Sequence, residues 1–165
     1  MTKLPKIISI VLLVAGAVMI VLGGVTYYLV HRELADEKIV VSDDAERNAG
    51  EPVEGPLTAY SEAMVIKDHA REIGEGQTYA QLPQDDPRRD TVMTASFLRS
   101  SLFTSVVAFG VALLVVGLGV LFILVGLALL GVVKRLDALG RGALDPAAAE
   151  VPTPPGEPPP AVATS

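Results

Sequence analysis

Two stretches of this chain contain no Asp, Glu, Lys, Arg or His: residues 7–30, 24 residues long, and residues 100–133, 34 residues long. An uncharged apolar run of about 18 or more residues reads as a membrane span. Two such runs rule out a simple soluble globule. They leave about 70 residues between them, below the usual size of a self-sufficient domain.

At about 1.5 Å per residue the first run reaches about 36 Å, enough to cross a hydrocarbon core of about 30 Å. It is not expected to be a cleaved signal peptide. A signal h-region has about 7 to 15 residues and a small-residue cleavage site close behind it, whereas this run is longer and ends in Tyr-Tyr-Leu-Val. Tyr27 and Tyr28 suit the membrane–water boundary, where a ring is half apolar and half wet. The second run would reach about 51 Å as a helix, so part of it must lie outside the bilayer. Ser100, Ser101, Thr104 and Ser105 make its start the polar end, and the buried part is expected near residues 106–130. Lys6 before the first span, and Lys134 and Arg135 after the second, are the charged anchors at the other face.

Two spans put both termini on one side. Positive charge near the spans is evenly divided, with Lys3, Lys6, Lys134, Arg135 and Arg141 against Arg32, Lys38, Arg88, Arg89 and Arg99. The charges closest to the membrane favour the termini. The connecting segment is also long enough to translocate with little regard to its charge. The expected topology therefore has cytoplasmic termini and an extracytoplasmic connecting segment. The net charge of −6 resides largely there: 15 of the 19 acidic residues lie in residues 31–99.

Several classes of function fall away. Proton relays, ion sites and voltage sensors need ionisable groups inside the membrane, and neither run has one. With no cysteine there is no disulfide framework, thiol nucleophile or Cys-ligated metal. The acidic balance argues against nucleic acid as a partner. No hydrolase elbow, phosphate-binding loop or dinucleotide fingerprint is found. Asp68 and His69, with Glu72 and Glu62 nearby, are too loosely spaced for a metal site and read as a solvated helix face. No cofactor or metal is expected, and no enzymatic activity.

Small residues recur every seven positions: Ser9, Gly16 and Gly23 in the first run, and Ala112, Gly119 and Gly126 in the second, led by Ser105 and Ala108. Seven residues are nearly two turns, so each set lines one face. In lipid such faces let helix backbones approach closely. A packing seam is expected, within the pair of spans or between copies.

Between the spans, the first helix is expected to continue a turn or two, and Lys-Ile-Val-Val-Ser at 38–42 to form a short strand. The clearest element is a helix over 58–73, with Thr58 as cap and Gly74 as stop. Its apolar face holds Ala59, Ala63, Ile66, Ala70 and Ile73, while Glu62, Lys67, Asp68, Arg71 and Glu72 fall mostly elsewhere. Tyr79 and Leu82 are placed to pack on it. Asp86-Pro87 opens a further helix that runs without interruption into the second span. Beyond Arg141 the chain holds seven of its twelve prolines and reads as a disordered, Pro-rich tail.

The segments LADEKIVVSDDA, GPLTAYSEAMVIKDHA, TYAQL and MTASFLRSSLFTSVVAFGVALLVVGLG resemble those of a family of small actinobacterial two-span membrane proteins. The resemblance covers about residues 7–133. That family has no established activity and often carries the label aromatic ring-opening dioxygenase small subunit. The resemblance implies an actinobacterial plasma-membrane protein. The dioxygenase label is not carried over, because ring opening of that type needs iron held by two histidines and a carboxylate, a pattern these residues lack.

The expected fold is mainly α: a two-helix transmembrane hairpin with a small α-rich extracytoplasmic cap. The expected divisions are a cytoplasmic N-terminus (1–6), a first span (7–30), the acidic outer segment (31–100), a helix containing the second span (101–133) and a cytoplasmic tail (134–165). The leading expectation for function is an accessory or scaffold subunit that contacts another envelope protein or forms a homo-oligomer. An extracytoplasmic ligand or ion sensor is the alternative, and a dioxygenase subunit the third.

Overall fold

A computed structural model describes residues 3–142. The chain is mainly helical: α1 spans Lys3–Asp36, α2 Pro56–Ile73 and α3 Arg89–Gly142, with no strand among the described residues. The expected tail from residue 143 onward lies outside them, as do residues 1–2.

At about 1.5 Å per residue, α1 is about 51 Å long and α3 about 81 Å. Both are long and apolar enough to cross a membrane. Only 17% of the most apolar stretch of α1, and 11% of that of α3, is buried inside the protein. A soluble core helix buries most of such a stretch. Here Ile7, Val14, Val21, Leu114 and Leu127 stand exposed. Covering a side chain of this size is worth about 1.5–3 kcal/mol, so these faces require apolar surroundings. The two candidate spans fit a membrane protein crossed twice.

Both helices overrun the expected spans. α1 starts ahead of residue 7 and ends six residues beyond Val30, at Asp36. α3 begins well before the apolar run and continues through residues 134–142, a stretch assigned in sequence to the tail. Asp86 sets its entry: Oδ1 accepts the Arg88 N–H at 2.8 Å, and the Asp86 carbonyl accepts the Arg89 N–H at 3.0 Å. Regular helix then starts at Arg89 rather than at Pro87.

The cap core sits where all three helices meet the segment joining α1 to α2. Leu34, Val41, Val53, Ala59, Ala63, Leu102 and Phe109 form one buried cluster. The strand expected at 38–42 is reduced to a single antiparallel bridge between Val40 and Pro52. Its two flanking hydrogen bonds run from the Val41 N–H to the Glu51 carbonyl and from the Val53 N–H to the Ile39 carbonyl, and the chain turn at Gly50, with φ of 74°, closes the pairing on one side. On the other side Lys38, with φ of 52°, turns the chain out of α1. α2 starts two residues earlier than expected, because Pro56 takes the first helical position after an extended Gly55. Thr58 serves from inside the first turn: its Oγ1 accepts the Gly55 N–H at 3.2 Å.

Glu62 departs from the sequence reading. Helical spacing puts it among the solvated residues, yet it is only 8% exposed. Its carboxylate accepts the Ser42 backbone N–H at 2.8 Å and the Ser42 hydroxyl at 3.3 Å. This staple holds the 41–53 segment against α2. Replacing Glu62 with Ala should strand that N–H and destabilise the cap by about 1–3 kcal/mol. Glu62→Gln, which keeps an acceptor oxygen, should cost less. Unfolding followed by circular dichroism in detergent, with hydrogen exchange at residues 41–53, checks both.

Candidate functional site

The small-residue face of α1 lies on α3 in antiparallel order. Ser9 meets Gly126, Gly16 meets Gly119, and Gly23 meets Ala112. Ser9, Gly16, Gly23, Ala112, Gly119 and Gly126 are all buried. Ser105 and Ala108 are half-buried on the next two turns of α3 towards the cap. The approach is backbone against backbone. A Cβ on Gly16 would stand 2.5 Å from the Gly119 carbonyl oxygen, and one on Gly119 would stand 2.7 Å from that of Gly16. A Cβ on Gly23 would meet the Ala112 carbonyl oxygen at 2.8 Å.

Hydroxyls along the pair are satisfied within their own helices. Ser9 Oγ donates to the Pro5 carbonyl at 2.7 Å, Thr26 to Leu22 at 2.9 Å and Thr104 to Ser100 at 2.9 Å. Close packing therefore joins the helices, as expected where lipid offers little hydrophobic drive between them. At one end, Lys6 pairs with Asp137 at 2.6 Å, while Lys134 and Arg135 are exposed. At the other, the Tyr27 ring lies 4.8 Å from that of Phe109, and Tyr28 faces outward.

Beyond Tyr27 and Phe109 the segment between the long helices is tied by polar contacts that sequence spacing does not display. His31 Nδ1 lies 2.6 Å from the Glu54 carbonyl, joining the end of α1 to the approach to α2. Arg88 bridges Asp86 and Glu75, at 2.8 and 3.1 Å. Its guanidinium holds the Asp86 carboxyl down to about 2. Arg89 lies 4.2 Å over the Tyr79 ring and donates to the Tyr79 and Leu82 carbonyls. Leu82 is buried beside it.

His69 does not gather Asp68, Glu62 and Glu72 around itself. Its Nε2 donates to Asp44 at 2.6 Å, across from α2 to the 43–48 turn. Among the described residues no group of three or more His, Cys, Asp or Glu is placed to hold a metal ion. The iron implied by the dioxygenase label does not fit these residues, since it needs two histidines and a carboxylate brought together and the described residues hold no such group. The hydrogen bond to Asp44 raises the His69 pKa, and the bond from His69 lowers that of Asp44.

Two sets of measurements follow from this geometry. Gly16→Ala or Gly119→Ala should force the backbones apart, at about 1–3 kcal/mol for overpacking. Gly24→Ala, which meets nothing within 4 Å, should be neutral or slightly stabilising by helix propensity; thermal unfolding in detergent separates them. The His69–Asp44 tie has a pH window. The raised histidine contributes fully below its ordinary value near 6.5 and fades as pH rises through the raised one. The lowered aspartate contributes fully above 3.8 and fades as pH falls through its lowered value. The tie is therefore strongest between those two ordinary values. In an NMR titration, Asp44→Asn should bring the His69 midpoint back down towards its ordinary value.

Compared with known proteins, the chain matches no family model, no curated protein and no solved structure.

Proposed function

We propose that the chain is an accessory or scaffold subunit of a cell envelope. Both termini are cytoplasmic, and a small outer cap offers a face to another envelope protein or to a second copy. The observation that carries this reading is the uncovered apolar surface of the cap on an otherwise tied framework. Leu57 is 74% exposed, Phe97 66% and Leu98 52%, on helices anchored by the buried cluster of the cap. Phe97 and Leu98 are neighbours on α3, and large apolar side chains left uncovered on a rigid support mark an interaction surface. The resemblance noted in sequence supports a plasma-membrane location in an actinobacterium. The alternative, an extracytoplasmic sensor, draws support from a cavity described below.

A photo-reactive residue at Phe97 or Leu57, irradiated in intact membranes, should give one discrete adduct: a specific partner or a defined oligomer. A strictly monomeric product from both sites would reject the reading. Since the chain lacks cysteine, orientation is tested in the same cells. Cysteine introduced at Ala80 should react with an impermeant thiol reagent, and cysteine at Ser165 should not.

A further inference from the structure

The segment between the spans is strongly acidic, yet one cavity in it is lined by cations. α2 runs antiparallel to the first part of α3: the Tyr60 and Phe103 rings are 5.8 Å apart near one end. Towards the other, Lys67 and Arg71 come level with residues 92–99. Between them lies a cavity of about 290 Å³ lined by Lys67, Arg71 and Arg99, with Gln77, Thr78 and Ser96 supplying neutral polar groups. No acidic side chain is part of the lining.

These cations are poorly compensated. Arg71 has no ion pair among the described residues, and Lys67 reaches only its neighbour Asp68, at 4.0 Å. The Arg99 guanidinium lies 5.3 Å from the Phe103 ring centre. Arg99 Nε is buried, with no hydrogen-bond partner among the described residues. A buried guanidinium N–H without an acceptor is costly, and three cations around one small cavity repel one another. An anion in the cavity would relieve that repulsion. Arg88, by contrast, is fully occupied by Asp86 and Glu75, and Arg89 by carbonyls.

We propose that this cavity binds a small oxyanion of the phosphate type. Arg71 and Arg99 supply forked N–H donors and Lys67 a point charge, while the Ser96 and Thr78 hydroxyls are already given to the Val92 carbonyl and to Gln81 Oε1. Guanidinium groups suit such ligands because their planar donors match the spacing of paired oxygens. The volume is just below the range of drug-sized sites and fits a group of a few heavy atoms. Arg99 lies ten residues above Phe109 on α3, about 15 Å beyond the Tyr27 level by helical rise. That height favours a soluble anion, although a lipid headgroup carries the same chemistry. The proposal rests on the cavity alone, so the cross-linking outcome above leaves it untouched.

The test uses the full chain in nanodiscs, with an environment-sensitive dye on a cysteine introduced at the exposed Ala80. Inorganic phosphate titrated against phosphatidylcholine discs should give a saturable change in emission. Arg71→Gln and Arg99→Gln should each weaken binding at least tenfold, while Arg47→Gln, which removes a cation remote from the cavity, should leave it unchanged. Circular dichroism confirms that each variant is folded, and Arg71, which makes no ion pair among the described residues, keeps the test sound if Arg99→Gln unfolds. If the dye reports occupancy only in phosphatidylglycerol discs, and the same two variants abolish it, the site belongs to a lipid phosphate. No saturable change in either disc, or an equal loss in Arg47→Gln, overturns the proposal.

Discussion

The contact of the Gly16 and Gly119 backbones is the constraint on which the rest of the structure depends. Only where both helices lack a Cβ can carbonyl oxygens come this close. In apolar surroundings that approach supplies the packing that water would otherwise drive. Ser9 with Gly126 and Gly23 with Ala112 repeat the contact on either side, two turns away. The three pairs set the register of α1 on α3. They thereby bring Tyr27 against Phe109 and Leu34 into the same buried cluster as Leu102.

The cap inherits its position from that register. Because α3 is continuous from Arg89 into the apolar run, it offers α2 a straight wall on which Ala59 and Ala63 bury completely. Small residues at those positions bring the helices close, and Glu62 then pins the preceding segment from the same helix. A segment too short to build an independent core thus borrows one from the ends of two long helices. The remaining ties, Arg88 to Asp86 and Glu75, and His69 to Asp44, fasten loops to this frame at its exposed margin.

The elements themselves were readable in sequence because the signals are local: absence of charge over two dozen residues or more, small residues every seven positions, Thr58 and Gly74 bracketing an amphipathic helix. What was not readable depends on partners distant along the chain. Glu62 counts as a polar residue in any periodicity, and nothing in the sequence marks the Ser42 N–H, 20 residues away, as its partner. The strand expected from β-branched residues at 39–41 shrinks to one bridge because left-handed turns at Lys38 and Gly50 close the pairing on both sides. Lys67, Arg71 and Arg99 look like scattered surface cations until α2 and α3 lie side by side. Seven-residue spacing marked a face on each span but carried no information on which glycine would oppose which.

The periodicity of the seam has a mechanical consequence. Sliding α1 along α3 by one turn would set Gly16 opposite a β-branched residue, Val116 or Ile123, where the backbones cannot meet. A comparable fit returns only after seven residues, a travel of about 10 Å. Piston-like displacement of one helix past the other is therefore blocked over the small distances available to a folded cap. Rotation of α1 about its own axis would take Gly16 and Gly23 off the seam, and a tilt about one contact would open the other two, so the two long helices move as one body and any movement of the cap is carried to their far ends.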